Sequence, residues 1–169
     1  MRNRLVPWLI VAVAALALAA CDKPKPRQAR AGAAPAGTTA ARLPAPAAWA
    51  AEMVGKPMGQ LFPGELKPCV GNTDNLEQKY SDGVKIVGWG WDPATKAAIA
   101  HVILVDLSGL VAGAGETGLA RPDVPAAKPQ IKDPNTGWAA YTRRTAGPLD
   151  AFGVIDGGKS LCRLGHLEF

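Results

Sequence analysis

Ser81-Asp82-Gly83-Val84-Lys85-Ile86-Val87-Gly88-Trp89-Gly90-Trp91-Asp92-Pro93 decides the fold class of this chain. Asp82-Gly83 is a turn signal, Val84 to Trp91 is rich in β-branched and aromatic residues, and Asp92-Pro93 ends the run, so the stretch predicts a β-strand. Side chains two apart share one face of a strand. Val87, Trp89 and Trp91 therefore project together, while Gly88 and Gly90 leave the opposite face bare.

The same grammar repeats downstream. Ile99 to Val105 is apolar except for His101, and Asp106-Leu107-Ser108-Gly109 then turns into Leu110 to Ala114. Pro134-Asn135-Thr136-Gly137 precedes Trp138 to Thr142, and Phe152 to Ile155 meets Leu161 to Leu164 across Asp156-Gly157-Gly158-Lys159. Short runs bounded by Gly, Asp, Asn and Pro predict antiparallel hairpins. About six strands with few helical stretches predict a mostly β domain, a small antiparallel β-sandwich or a curled sheet, over 69–169.

Upstream, Trp49 to Val54 reads as a short helix before Gly55, and Pro57, Pro63 and Gly64 break the segment after it, so 47–68 is expected to be an irregular arm. Residues 22 to 46 hold Pro24, Pro26, Pro35, Pro44 and Pro46 among small and basic residues with no apolar period, the composition of a disordered tether. Before that, Arg2 and Arg4 precede Leu5 to Ala20, which carries no charge. That order, basic then apolar then small, predicts a cleaved signal peptide over 1–20. The apolar run is shorter than the roughly 20 residues a spanning helix needs.

Leu18-Ala19-Ala20-Cys21 resembles the lipobox of bacterial lipoproteins at all four positions. The resemblance implies cleavage between Ala20 and Cys21, a diacylglycerol on the Cys21 sulfur and an acylated, typically palmitoylated, new N-terminus. The membrane is then a partner through the lipid anchor, with the domain facing the periplasm. Asp22 resembles a signal for retention at the inner membrane, with the outer membrane as the alternative placing.

The chain has a formal charge of +5, yet its basic excess lies in the leader and the tether. The residues from 47 onward are nearly balanced, so no basic footprint for nucleic acid is expected on the domain. Basic tether residues instead suit anionic lipid head groups. Of the three cysteines, Cys21 is consumed by lipid, leaving Cys69 and Cys162 as the one pair whose default fate in an oxidising compartment is a disulfide.

No catalytic or cofactor machinery is expected. Gly113 to Gly118 spells G-x-G-x-x-G, but Arg121-Pro122-Asp123-Val124-Pro125 comes next, and two prolines forbid the long helix that a dinucleotide fingerprint opens. His101 and His166 lack partners at metal-ligand spacing. Neither G-x-S-x-G nor H-E-x-x-H occurs, so the chain is not expected to be an enzyme.

Gly88-Trp89-Gly90-Trp91-Asp92, Arg121-Pro122-Asp123-Val124 and Gly137-Trp138 resemble the motifs of a small β domain of bacterial exported and cell-surface proteins, some linked to envelope polysaccharides. The likeness spans roughly 70 to 164 and brings no catalytic residue. Three functions are compatible with these residues. In the first, Trp89, Trp91 and Trp138 form an aromatic platform, with Arg121 and Asp123 supplying polar contacts, for an envelope glycan or an exported protein. In the second, those tryptophans are core and the chain is a structural or assembly lipoprotein. In the third, an enzyme site is assembled only in three dimensions.

Overall fold

The computed structural model of the chain describes residues 41–169. The expected signal peptide, Cys21, Asp22 and most of the tether lie outside the described residues. Strands are β1 (Val70–Tyr80), β2 (Gly83–Asp92), β3 (Ala97–Ala98), β4 (His101–Asp106), β5 (Val111–Leu119), β6 (Gly137–Thr142), β7 (Leu149–Ile155) and β8 (Ser160–Leu167). A one-turn helix α1 (Met58–Leu61) precedes β1, and another, α2 (Asp123–Ala127), lies between β5 and β6.

The fold is mostly β, and of the two expected architectures it is the curled sheet. All eight strands belong to one antiparallel sheet of order β1-β2-β6-β5-β4-β7-β8, with β3 paired to β2. The sheet curls until its edge strands, β1 and β8, meet. Cys69, just ahead of β1, and Cys162 in β8 lie at disulfide distance with Cα atoms 5.8 Å apart. Beside them the Lys67 N–H donates to the Leu161 carbonyl at 2.8 Å. The Leu164 side chain occupies the space where a Cβ on Gly71 would stand, so glycine there lets the edges close.

The concave side holds the main core. Val84 and Ile86 of β2, Val102 and Leu104 of β4, Trp138 and Ala140 of β6, Ala151 of β7 and Leu164 of β8 pack together there. Ile103, Val105, Phe152 and Val154 point the other way, and Trp49, Met53, Met58, Leu61 and Phe62 cover them. This explains why Ile99 to Val105 shows no alternation: β4 is buried on both faces.

The covering layer is the arm. The expected helix at Trp49 shrinks to a 3-10 turn over Ala48–Ala50, and Gly55 takes φ 86°, the left-handed region that favours glycine. The arm then pairs with the start of β5. The Gly55 N–H donates to the Val111 carbonyl at 2.8 Å, and the Val111 N–H returns a bond to the Lys56 carbonyl at 3.0 Å. The G-x-G-x-x-G letters lie wholly inside β5 and open no helix.

Candidate functional site

The aromatic platform is not formed. Trp138 is 0% exposed, Trp89 8% and Trp91 7%, so each indole is core. Trp89 and Trp91 do share a face of β2, as the alternation requires, but Val124 and Ile131 pack over that face, with Val70 of β1 beside Trp91. Trp138 sits on the other face. Gly88 pairs with Trp138 and Trp89 with Gly137, and cross-strand partners share a face, so Trp138 belongs to the bare glycine side of β2. The glycines have a packing reason: a Cβ on Gly88 would collide with the six-membered ring of Trp138.

Arg121 and Asp123 are also committed internally. The Arg121 Nε and Nη2 donate to the two oxygens of Asp123 at 2.9 and 2.8 Å, and its Nη1 reaches Asp74 of β1. This bidentate grip pulls the Asp123 carboxyl below its usual pKa and raises that of the Arg121 guanidinium. The aliphatic stem of Arg121 meanwhile lies over Gly137. Such a clamp ties the connection before α2 to β1 and leaves no donor set aimed at a ligand. Because the pair is solvated, Arg121→Ala is expected to give only a small shift in a urea unfolding midpoint.

The short motifs are thus one structural unit. Asp92 completes it: its carboxylate accepts from the Ala94 N–H at 2.9 Å and the Thr95 hydroxyl at 2.8 Å, closing the turn after β2.

The chain matches no protein-family model, no curated protein and no solved structure.

A cleft of ≈ 480 Å³ opens at the end of the sheet where β2, β4 and β7 finish or begin, lined by Trp49, Met53, Asp92, Ile99, His101 and Asp156 among others. The Trp49 ring stacks on His101, with centroids 4.3 Å apart and planes 15° from parallel. Asp156 is ion-paired with Lys67; that bond, then one from Ser160, lowers its pKa. Both lining carboxylates therefore have structural partners, Asp92 in its turn and Asp156 with Lys67.

Chemically the cleft offers an indole edge, an imidazole and backbone of the Asp156-Gly157-Gly158 turn. Among the described residues no group of three or more His, Cys, Asp or Glu is placed to hold a metal ion. Sequence reasoning singles out His101 only as a histidine without a partner, and it places Trp49 in an irregular arm. Nothing in the spacing of 49 and 101 signals their stacking.

Proposed function

We propose that the chain is a lipid-anchored envelope protein whose β domain is a non-catalytic structural or assembly module. The observation that carries this reading is the fate of the motif residues: Trp89, Trp91 and Trp138 are buried, and Arg121 with Asp123 closes a clamp onto Asp74. Residues offered for recognition are instead spent on holding the domain together. The anchor rests on the leader and on Leu18-Ala19-Ala20-Cys21. Two or three acyl chains, each buried methylene contributing about 0.8 kcal/mol, hold a protein far better than one chain.

The test is Cys21→Ser. The variant is expected to leave the membrane fraction or to accumulate as an unprocessed precursor, while the parent protein gives a mature N-terminal peptide carrying lipid on Cys21. A mature, unlipidated N-terminus at any other residue in the parent protein overturns the anchor.

A second reading, a module that binds an envelope glycan or an exported partner, draws on the cleft beside Trp49 and His101. Retention of the protein on a glycan array or by an envelope extract, abolished by Trp49→Ala without loss of folding, favours this reading over the first.

A further inference from the structure

The strand register gives the domain two distinct ends. Val84 and Gly113 each pair with Thr142, and Asp106 pairs with Leu149, so the β1-β2 turn, the β4-β5 turn and the β6-β7 connection crowd together at one end. The cleft and the Cys69–Cys162 pair lie at the other.

The first described residues lie at the first end. The Ser81 N–H donates to the Ala41 carbonyl at 3.0 Å, and the Leu43 N–H to Asp82 at 2.8 Å, fixing residues 41–43 beside the β1-β2 turn. At this same end Leu107 is 82% exposed, the highest value among the exposed large apolar residues, and Val54 is 41% exposed. Leu107 is held outward by a built turn. Asp106 accepts from the Ser108 N–H at 3.0 Å, the Ser108 hydroxyl at 2.6 Å and the Leu110 N–H at 3.1 Å, and it also binds Arg144.

Basic side chains surround that tip. Leu107 and Arg144 line one concavity, and Val54, Arg143 and Arg144 line the adjoining one. Arg42, Lys56, Lys79, Arg143 and Arg144 are all exposed at this end, against the carboxylates Asp82, Asp106, Asp150 and Glu168, of which Asp82 pairs with Arg143 and Asp106 with Arg144. An exposed leucine with Arg144 beside it and Arg143 in the adjoining concavity matches the two layers of an anionic bilayer surface, charged head groups over acyl chains.

We propose that the end of the domain carrying Leu107, Arg143 and Arg144 docks on an anionic lipid surface, turning the cleft away from the membrane. The proposal rests on the anchored reading, because only about 20 residues separate Cys21 from Arg42, and so short a link keeps the attached end at high local concentration. Under that condition weak contacts suffice. Each basic residue near the surface contributes about fivefold in partitioning.

The experiment uses the full lipidated protein in vesicles of phosphatidylglycerol and phosphatidylethanolamine, and in neutral phosphatidylcholine vesicles. An environment-sensitive fluorophore is placed at Leu107→Cys or, at the far end, at Lys159→Cys. The expected result is a blue shift at position 107 in anionic vesicles, little in neutral ones and none at position 159. Arg42→Gln with Arg143→Gln should lower the docked-to-undocked ratio about 25-fold, two steps of fivefold.

If the protein floats with the vesicles but position 107 reports water, or if both positions shift alike, docking is overturned while the anchor stands. If the protein does not float and Cys21 proves unmodified, the anchor falls. Docking as proposed then falls with it, because its weak contacts depend on the tether.

Discussion

Replacing Cys69 and Cys162 together by serine is expected to lower the unfolding free energy by about 4 to 5 kcal/mol, the value for a cross-link closing a loop of this size. The two residues are separated by 93 positions, so the bond removes loop-closure entropy from nearly the whole unfolded domain. Its place in the sheet adds a second reason. β1 and β8 are the edge strands and share no ladder, and the Lys67 to Leu161 bond is a single backbone link between the segment before β1 and β8. Without the covalent tie the curl is held there by that bond, by packing such as Leu164 over Gly71 and by the solvated Lys67–Asp156 pair. A fall in Tm of roughly 15 to 20 °C is expected for a domain of this size. Peptide mapping without reductant should recover the two cysteines as one cross-linked pair. Recovery of both as free thiols from exported protein, or a double variant within a few degrees of the parent, would refute the prediction.

How much of the fold is legible in the chain depends on what each residue faces. The Val84 to Trp91 run shows its strand openly, because it is rich in β-branched and aromatic residues and Asp82-Gly83 and Asp92-Pro93 bracket it. β1 is hidden. Val70 to Tyr80 contains Gly71, Asn72, Asp74, Asn75, Glu77, Gln78 and Lys79, and register shifts between Thr73 and Asn75 and between Leu76 and Gln78 break its alternation. It is a strand because β2 offers it a complete ladder, which is a tertiary cause. Local propensity does not report it.

The candidate site divides the same way. Alternation correctly places Trp89 and Trp91 on one face, but whether that face is wet depends on Val124 and Ile131, brought over it by the connection between β5 and β6. Gly137-Trp138 is grouped with Gly88-Trp89-Gly90-Trp91-Asp92 as motifs of one resemblance, which does not say which face Trp138 takes. The cross-strand register puts it on the opposite side, and register is set by pairing partners that one sequence does not display. Arg121 and Asp123 are close in sequence, so their pairing is a local expectation; Asp74, the third member, comes from a strand 47 residues away.

The glycine and tryptophan that meet in the concave core should respond as one unit. Trp138→Ala is expected to cost about 3 to 5 kcal/mol, the range for a large aromatic removed from a core that cannot collapse around the gap. Here the walls are β2, β4 and β8, held at fixed spacing by the sheet and the edge tie, so relaxation is limited. Trp138→Phe should cost less, for a second reason besides its smaller cavity. The indole Nε1 is buried without a hydrogen-bond partner, and phenylalanine removes that unsatisfied donor. Gly88→Ala adds a methyl where the Trp138 ring and the Asn72 carbonyl already stand, and overpacking of this kind costs about 1 to 3 kcal/mol. In the Trp138→Phe background the ring edge nearest position 88 is gone and only the carbonyl opposes the methyl. Gly88→Ala should then be cheaper, giving a coupling of about 0.5 kcal/mol or more in a double-mutant cycle measured by urea unfolding. Strict additivity of the two changes would mean that Gly88 is required by the neighbouring backbone alone, and that the bare face of β2 was not shaped to receive Trp138.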